Sequence, residues 1–492
     1  MAVLAVDAGT TGVTALLVGG DGRVLTRGYA EFPQHFPRDG WVEHAPDEIW
    51  SATLTATRAV LGSAPEPPTA VGITNQRETV VLWDRETLGS PCRAIVWQDR
   101  RTAGLCEQLR QDGHEDRVRA VTGLRLDPYF SATKLAWLRT NDPHTWAGVA
   151  AGRVAVGTVD SYLVARMTRG LHHVTDASNA SRTLLFDLEA GTWSPEMSEL
   201  FGVPVEALPE VVPSWGTCGR TDPAAFLGLD LPIAGIAGDQ QAALFGQTCF
   251  APGTSKCTYG TGSFVLVNTG HHPVRSDAGL LTTVAWGQPD GRLTYALEGA
   301  VFVTGAAVQW LRDGLQLLDE AAESEDLARS VPDSGGVVFV PALTGLGAPD
   351  WDPTARGAIL GITRATSRGH LARATLEAIA FEVRDVVDLM TRESGVHLPS
   401  LAVDGGASAN DLLCQLQSDQ LQVPVRRPTV VETTGLGAAF LAGLGTGVWA
   451  STADLQSTWD LDRQFDPGPR DEQAHRRWRA GVERAKGWAG ET

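Results

Sequence analysis

Short apolar runs separated by turn-forming residues are the first pattern along the chain. Residues 2–6 and 13–18 are two such runs, and they flank Asp7-Ala-Gly-Thr-Thr-Gly12. Runs of this length bounded by glycine predict two strands joined in a hairpin. Backbone N–H groups and hydroxyls in such a turn can bind phosphate oxygens. A plain hairpin with a polar turn also explains the segment, so both interpretations stay open at this point.

The same pattern returns near the middle of the chain. Lys256-Cys-Thr-Tyr259 leads into Gly260-Thr-Gly262, and the apolar residues 264–267 follow. Two Gly/Thr hairpins, one near the start and one at mid-chain, indicate an internal duplication. We therefore expect two related halves that clamp one nucleotide between them.

A third segment, residues 235–246, places an acidic residue between a strand and a helix. Residues 231–237 predict a short buried strand, Asp239 comes after it, and Gln240 begins a predicted helix. Open α/β folds bind ligands in the crevice beyond the carboxyl ends of their strands. The positive end of a helix also keeps an aspartate ionised. Asp239 is therefore a candidate functional carboxylate, and the alternative is a plain helix N-cap.

Further periodic segments complete the prediction of an α/β fold. They are a helix from about Pro46, a strand over residues 70–74, a helical run over residues 299–312, a strand and glycine turn over residues 401–410, and helices near residues 376–390, from Thr434 and over residues 471–492. Residues 376–390 repeat apolar positions at helical spacing, which is typical of a helix packed on a sheet. The helix from Thr434 is rich in small residues and is expected to pack closely. The charged tail is expected to form a surface helix.

Polar and aromatic residues follow several of the predicted strands. Arg77 and Glu78 belong to Asn75-Gln-Arg-Glu-Thr79, which directly follows residues 70–74, and they offer five donors and a carboxylate, which suits a small polyol. A solvated surface ion pair is the alternative. Trp97 could line a cleft or be a core residue. Tyr129 could present its phenol to a cleft or belong to an ordinary turn. The glycines at residues 405–406 would let adenine or ribose approach the backbone, or would form a tight turn.

Two common nucleotide-binding signatures are absent from the sequence. There is no G-x-x-x-x-G-K-[ST], and no G-x-G-x-x-G follows a strand, which removes the usual argument for a dinucleotide-binding fold. Histidine pairs stand at residues 172–173 and 271–272. They do not predict zinc binding, because strand neighbours point to opposite faces and no further Cys or His stands at ligand spacing.

Composition narrows the class of protein further. The chain has 492 residues, of which 43% are hydrophobic and 20% charged, so we expect a globular protein of two or three domains. A net charge of −18 argues against nucleic acid or an anionic membrane as a partner. The six cysteines form no C-x-x-C pair and no apolar run has membrane length. The first residues predict a strand rather than a signal peptide, so a reducing cytoplasm is the expected location.

Several motifs, taken together and in this order, resemble the FGGY carbohydrate kinases of the actin-like ATPase superfamily, in particular the members that phosphorylate glycerol. The resemblance covers nearly the whole chain, from Asp7-Ala-Gly-Thr-Thr to Gly435-Leu-Gly-Ala-Ala. Its most specific segments are Gly40-Trp-Val-Glu-His, Asn75-Gln-Arg-Glu-Thr, Asp127-Pro-Tyr-Phe, Gly238-Asp-Gln-Gln-Ala-Ala-Leu-Phe-Gly, Tyr259-Gly-Thr-Gly and Thr344-Gly-Leu-Gly-Ala-Pro.

This resemblance implies a fold and an activity. The fold would be α/β, with two actin-like (ribonuclease H-like) domains of mixed sheets flanked by helices and an active site in the cleft between them. Residues 1–245 would form an N-terminal domain with the polyol site and the catalytic base, and residues 246–492 a C-terminal domain with most nucleotide contacts. The activity would be ATP-dependent phosphorylation of glycerol to sn-glycerol 3-phosphate with Mg²⁺, in a homodimer or homotetramer.

The resemblance also assigns roles to individual residues. Asp239 is the expected general base. The expected polyol contacts are Arg77, Glu78, Trp97, Tyr129, Asp239, Gln240 and Phe264. The expected ATP contacts are Thr10, Thr11, Gly12, Thr261, Gly305, Gln309, Gly406 and Asn410. Asp7 and Asp239 are the expected Mg²⁺ carboxylates.

The sequence departs from the family pattern in three places, and two other functions stay open. Many relatives carry D-x-G-T-T-S-S/T-R at the first hairpin, whereas Thr14 stands here in place of the arginine, which puts one phosphate contact in doubt. Residues 212–223 lack the G-G-K-G-G-T-R-type loop used for fructose bisphosphate inhibition, and no histidine matches the one phosphorylated by the sugar phosphotransferase system, so we expect neither control. The alternatives are a kinase for another polyol or ketose and a non-catalytic ATP-binding regulator.

Overall fold

Two mixed β-sheets, each flanked by helices, form the framework of the protein. The computed structural model describes residues 1–490. The strands up to residue 246 are β1 (Ala2–Ala8), β2 (Gly12–Gly19), β3 (Val24–Glu31), β4 (Glu43–His44), β5 (Pro68–Asn75), β6 (Val81–Asp84), β7 (Ala94–Ile95), β8 (Val154–Gly157), β9 (Val174–Asp176), β10 (Phe186–Asp187), β11 (Thr192–Trp193), β12 (Glu210–Val212), β13 (Trp215–Arg220) and β14 (Pro232–Gly238). The helices are α1 (Pro46–Ser63), α2 (Ala103–Gln111), α3 (Glu115–Thr122), α4 (Ser131–Asn141), α5 (Pro143–Ala150), α6 (Val159–Met167), α7 (Ala177–Ala180), α8 (Pro195–Phe201) and α9 (Asp239–Gly246).

The second part of the chain has the same alternation of strands and helices. Its strands are β15 (Ser255–Tyr259), β16 (Ser263–Gly270), β17 (Leu281–Gly287), β18 (Leu293–Val301), β19 (Val338–Val340), β20 (Ala358–Leu360), β21 (Leu401–Asp404), β22 (Val425–Pro428) and β23 (Leu461–Phe465). Its helices are α10 (Gly305–Asp313), α11 (Glu323–Arg329), α12 (Arg368–Ser394), α13 (Asp411–Leu421), α14 (Thr433–Thr446), α15 (Thr452–Gln456) and α16 (Glu472–Ala485).

The first sheet is buried on both faces, which explains why its central strand is almost wholly apolar. Its strand order is β13-β14-β5-β1-β2-β3, with β1 antiparallel to β2 and parallel to β5. Leu4 and Val6 pack in a cluster with residues of α1, whereas Val3 and Ala5 pack in another with residues of α14. A strand covered on both sides needs apolar residues at every position, and the amphipathic alternation disappears.

The second sheet repeats the topology of the first. Its order is β17-β18-β16-β15-β21-β22-β23, and β15 is antiparallel to β16 and parallel to β21, as β1 is to β2 and β5. The outermost pair on this side, β22 and β23, is antiparallel, as are β14 and β13. The predicted duplication is thus visible in strand order and direction.

Helix α14 joins the two halves, because it comes late in the chain and packs on the first sheet and on α9. A Cβ on Gly72 of β5 would lie 2.1 Å from the Ala438 carbonyl oxygen, and one on Gly437 would lie 1.8 Å from the Ala242 carbonyl oxygen. Backbones can approach this closely only where glycine removes the side chain. The close packing predicted for this helix is confirmed, and it ties α9 to the sheet.

Two local expectations need correction or refinement. Residues 299–301 belong to β18 and α10 begins only at Gly305, so the helical run predicted over residues 299–312 is wrong in its first part. Small and β-branched residues in a short run fit a buried strand as well as a helix. The tail helix α16 has a buried face with Trp478 and Val482, and residues 491–492 of that prediction lie outside the described residues.

Among residues 1–490, no helix combines the length and apolar character needed to span a bilayer.

Candidate active site

Three parallel strands of the first sheet end at the same level and carry the candidate residues. Asn75 at the end of β5 pairs in register with both Ala8 of β1 and Gly238 of β14. Asp7 therefore lies at one strand end, and the segments that begin with Arg77 and Asp239 leave from the other two. The carboxyl edge of a sheet is where open α/β folds bind ligands.

Asp239 is the first residue of α9, and Gly238 rather than Asp239 occupies the N-cap position. The alternative in which Asp239 is a plain N-cap is therefore wrong. Its Oδ1 accepts a hydrogen bond from the Gln240 backbone N–H at 2.7 Å. The side chain keeps 28% of its surface exposed, so it can reach a ligand in the cleft. The first turn of a helix stabilises a negative charge at this position.

Arg77 connects the candidate base to both halves of the protein. Its Nε lies 3.0 Å from Asp239 Oδ1. Its Nη1 and Nη2 donate to the two carboxylate oxygens of Glu298, which belongs to β18 in the second sheet. Nη1 also donates to Gln241 Oε1 at 3.3 Å, and Nη2 to Tyr129 Oη at 3.4 Å. Each nitrogen of the guanidinium group therefore has a partner, and these partners fix the orientation of the group.

A second arginine completes a buried chain of alternating charges. Arg182, which is fully buried, donates through Nε to Glu78 Oε1 at 2.6 Å and through Nη2 to Glu298 Oε1 at 2.9 Å. Arg77 and Glu78 are 3% and 1% exposed, so the alternative of a solvated surface ion pair is wrong. Burial opposes the charge of Glu298, but Arg182 and Arg77 hold its pKa below the ordinary value. Burial raises the pKa of Glu78.

Aromatic rings border this polar group. The rings of Trp97 and Tyr129 lie 5.6 Å apart, edge to face, and the Phe264 ring lies 5.7 Å from Arg77 Cζ. Trp97 Nε1 donates to Thr10 Oγ1 at 3.0 Å, which ties the aromatic wall to the first Gly/Thr turn. Flat apolar walls next to fixed polar groups are typical of a small-molecule site.

Lys134 holds the loop that presents Tyr129. Its buried Nζ donates to the backbone carbonyls of Pro128, Tyr129 and Phe130 at 2.7, 2.6 and 3.1 Å. Three successive carbonyls converging on one ammonium group hold the backbone of this loop in a single conformation. Burial lowers the pKa of Lys134 to about 8.

Asp7 and Asp239 form a pair of carboxylates with a chemistry that suits a cation. Burial, and after it the charge of Asp239, raises the pKa of Asp7 to about 7. A bound divalent cation would offset this repulsion, and Mg²⁺ prefers oxygen ligands such as carboxylates, so the residues fit a Mg²⁺ site. Thr14 lies directly opposite Asp7 in the β1–β2 ladder, so the arginine of the family pattern would stand beside Asp7.

The first Gly/Thr turn, residues 9–11, is held by glutamine side chains. Gln76 Nε2 donates to the Gly9 carbonyl at 3.0 Å and Gln34 Nε2 to the Thr10 carbonyl at 2.8 Å. Thr11 is exposed at the tip. Gly12 is buried at the start of β2, and a Cβ there would lie 2.6 Å from Tyr29 Oη. The backbone of Gly12 therefore packs against β3, while the neighbouring Thr11 faces solvent and Thr10 is partly buried beside Trp97.

The second Gly/Thr turn, residues 260–262, packs against the beginning of α10. The backbone N–H of Gly305 donates to the Gly260 carbonyl at 3.0 Å, and that of Ala306 to the Thr261 carbonyl at 3.1 Å. Thr261 and Gly305 are therefore neighbours, and Gln309 is exposed one helical turn further on. A helix N-terminus beside a glycine turn favours anions such as phosphate.

The glycine turn after β21 lies on the same edge, because β15 and β21 are parallel neighbours and Thr258 pairs with Asp404. Gly405 has φ +83°, and a Cβ there would lie 2.5 Å from the Tyr259 carbonyl oxygen. Gly406 is exposed, with no atom within 4 Å of its own Cβ position. The space above Gly406 is thus open to a flat ligand. Asn410 caps α13 by accepting from the Leu413 N–H at 2.9 Å.

Three charged or polar residues of this network are missing from the sequence-based predictions. They are Arg182, Gln241 and Glu298. A signal for Glu298 exists, since it is the one ionised residue in the run from Tyr295 to Val303. A lone charge inside a predicted buried strand needs a partner, and this rule would have singled it out.

Comparison with known proteins places the chain in a family. Residues 2–246 match the N-terminal domain, and residues 255–446 the C-terminal domain, of the FGGY family of carbohydrate kinases. The glycerol kinase of Symbiobacterium thermophilum is 54% identical over 99% of both chains. Glycerol kinase 2 of Thermotoga maritima is 50% identical over 99% of both chains.

A solved structure gives the same result for the three-dimensional fold. The crystal structure of Plasmodium falciparum glycerol kinase with ADP superposes with a TM-score of 0.92, at 34% identity and over 98% of both chains. The predicted two-part α/β architecture is therefore confirmed. Matching domains along the sequence, full-length relatives and a shared fold lead to one conclusion: the chain belongs to the FGGY family of carbohydrate kinases.

Proposed function

We propose that this protein phosphorylates glycerol with ATP and forms sn-glycerol 3-phosphate. The observation that carries the proposal is the position of Asp239, which stands at a helix start beside Arg77 and near enough to Asp7 to raise the pKa of that carboxyl. A carboxylate in this position can accept a proton from an alcohol while phosphates occupy the turns. Full-length relatives at 50–54% identity that carry the name glycerol kinase support the choice of substrate.

A small polyol needs donors, acceptors and apolar walls at short range. The proposed glycerol contacts are Arg77, Glu78, Trp97, Tyr129, Asp239, Gln240 and Phe264. Arginine supplies only donors and a carboxylate only acceptors, so Arg77 and Glu78 together can bind both functions of a hydroxyl. The rings of Trp97 and Phe264 flank the carbon chain, which explains why aromatic residues border a charged group.

In the proposed reaction Asp239 acts as the general base. A glycerol hydroxyl attacks the γ-phosphorus, its proton passes to Asp239, and the bond between the γ-phosphorus and the bridging oxygen breaks with release of ADP. A positioned base accounts for about 10²–10⁴ of the acceleration. Positioning the reactants in line and excluding water account for most of the rest.

Two groups of residues are proposed to hold the nucleotide. The phosphates lie against Thr10, Thr11, Gly12 and Thr261, and the rest of ATP against Gly305, Gln309, Gly406 and Asn410. Asp7 and Asp239 would hold Mg²⁺. When bound, Mg²⁺ neutralises charge on the phosphoryl oxygens.

We also propose a domain division, an oligomeric state and a cellular location. We assign residues 1–245 to a glycerol-binding domain and residues 246–492 to a nucleotide-binding domain. We propose a homodimer or homotetramer in the cytoplasm. Light scattering of the purified protein measures the oligomeric state directly, and a monomer at micromolar concentration would contradict this assignment.

The function is tested by ADP release from Mg-ATP with a panel of acceptors. The panel contains glycerol, dihydroxyacetone, erythritol, xylulose, ribulose and a blank without acceptor. Strong preference for glycerol with little release in the blank is the expected result. Preference for a longer sugar would keep Asp239 and the nucleotide site but overturn the assignment of the polyol pocket. If no acceptor raises ADP release above a negligible blank, the non-catalytic ATP-binding alternative is favoured.

A further inference from the structure

Lysine is rare in this chain, and two of its three lysines are buried at the site. Only Lys134, Lys256 and Lys486 occur among the 40 basic residues. Lys134 and Lys256 are 0% exposed, whereas Lys486 keeps part of its side chain in solvent. A lysine differs from an arginine because its ammonium group is compact and presents three donors from one atom. Lys134 uses these donors on the Tyr129 loop, and Lys256 has a different target.

Lys256 binds the side chain of Gln240. It lies on β15, and its Nζ donates to Gln240 Oε1 and, at 2.8 Å, to Thr258 Oγ1. An ammonium group has donors and no acceptor, so it can only face the oxygen of a glutamine amide. The amide oxygen of Gln240 therefore points to Lys256, and the amide nitrogen points elsewhere. Within residues 1–490 that nitrogen has no hydrogen-bond partner.

We propose that Lys256 is a positioning residue that locks the amide of Gln240 so that its NH₂ group donates to a hydroxyl oxygen of glycerol. The Lys256 ammonium group that binds this amide also interacts with Asp239 and Glu298, the two carboxylates paired with Arg77, so the Gln240 amide lies beside the proposed polyol contacts. Without the lysine, the amide could turn and present its oxygen, and a hydroxyl oxygen would then face an acceptor. This inference rests on the proposed function, and it adds that the pocket requires an acceptor atom at this point of the substrate.

The alternative explanation is purely structural. The negative charges of Asp404, Asp239 and Glu298 also attract the ammonium group of Lys256. A lysine that only balanced these charges would act on stability and not through Gln240. The two explanations differ in whether the effects of changing Lys256 and Gln240 are independent.

A double-mutant cycle separates them. Lys256→Met and Gln240→Met are each expected to lower kcat/KM for glycerol roughly tenfold, the size of one lost hydrogen bond near a charge. The kcat/KM of the double variant is expected to equal that of the less active single variant, because Lys256 has nothing to position once the amide is gone. The KM for ATP is expected to stay unchanged in all three. A further tenfold loss in the double variant would overturn the proposal, as would wild-type kinetics in Lys256→Met.

Two other lysines serve as matched controls. Lys134→Met removes an equally buried lysine that binds the Tyr129 loop instead of Gln240. Its effect should therefore multiply with that of Gln240→Met, in contrast to the effect of Lys256→Met. Lys486→Met lies outside the site and should leave kcat/KM unchanged.

A second variant at Lys256 separates a loss of folding from a loss of function. If Lys256→Met does not fold, Lys256→Gln keeps one amide donor toward Gln240 and should lose clearly less than tenfold in kcat/KM. The cycle is measured with the acceptor that the wild-type enzyme prefers. Preference for another polyol would overturn only the proposed substrate, and an additive cycle in an active enzyme would overturn only the role of Lys256. An enzyme that phosphorylates no acceptor would overturn both.

Discussion

Arg77 and Asp239 form an ion pair in which Nε lies 3.0 Å from Oδ1, although the two residues follow different strands of the first sheet. The Gln240 backbone N–H binds the same oxygen at 2.7 Å. Both contacts use Oδ1, and within residues 1–490 the structure gives Oδ2 no partner. The carboxylate is thus held by one oxygen, and the other is available to accept a proton.

The first prediction is that Asp239→Asn lowers kcat by about 10²–10⁴-fold, because the amide keeps the shape of the side chain but cannot act as a base. Binding of ADP without Mg²⁺, measured by calorimetry, should stay close to that of the wild type. Asp290→Asn, in the exposed turn between β17 and β18, is the matched control and should keep full turnover. Near-normal kcat in Asp239→Asn would remove this residue as the base.

The second prediction concerns the buried carboxylate that joins the two sheets. Glu298→Gln leaves the guanidinium groups of Arg77 and Arg182 without their shared charge partner. Removing one member of a buried ion network costs about 3–5 kcal/mol, and urea unfolding should show a loss of this size. Glu196→Gln breaks an exposed pair with Arg117 and should leave the free energy of unfolding nearly unchanged. Equal effects of the two changes would argue against the network.

The third prediction is a dependence of stability on pH that comes from Lys134. Burial lowers its pKa to about 8, although Glu78, Asp99 and Asp127 act in the opposite direction. The unfolded chain keeps the proton up to about 10.5, so between these values the unfolded state binds more protons. Wild type should therefore gain stability relative to Lys134→Met as pH rises through this window, by up to roughly 3 kcal/mol.

Glycerol binding should show the same titration. Above about pH 8, Lys134 loses one of the donors that hold the Tyr129 loop, so the KM for glycerol should rise in the wild type. Lys134→Met should show no such rise, since it has no proton to lose. A pH-independent difference in stability between the two proteins would contradict the shifted pKa.

The fourth prediction compares two adjacent glycines. Gly405→Ala must place a Cβ 2.5 Å from a carbonyl oxygen at φ +83°, and should cost about 1–3 kcal/mol of stability. Gly406→Ala meets no atom within 4 Å and should fold normally. If ATP lies above Gly406, the added methyl group should raise the KM for ATP while thermal unfolding stays at the wild-type temperature. Normal ATP kinetics in Gly406→Ala would move the nucleotide away from this turn.

Local patterns anticipate much of the architecture. The strand before Asp239, the helix from Pro46, the small-residue helix α14 and both Gly/Thr hairpins lie where the residue patterns predict them. Apolar period, proline at a helix start and glycine at a turn act over a few residues, so they can be read without a structure. The exception at residues 299–304 fits this explanation, since a short run of small apolar residues suits a strand or a helix.

The motifs identify the candidate residues along the chain, but they do not show the burial or the hydrogen-bond partners of these residues. Arg77 and Glu78 are named from the chain, whereas their burial and the direction of each hydrogen bond come from the fold. Only the fold also distinguishes Gly12, which packs against Tyr29, from the exposed Thr11.

The sequence by itself determined the α/β class, the duplicated hairpins, the family and the position of Asp239 between strand and helix. The tertiary structure alone decided which buried charges meet. Glu298 binds Arg77 across 221 residues and Arg182 across 116 residues of chain, because the two sheets bring β18 against the carboxyl edge of β5. Contacts at such separation depend on strand order and on the packing of whole sheets, and no local pattern of residues encodes them.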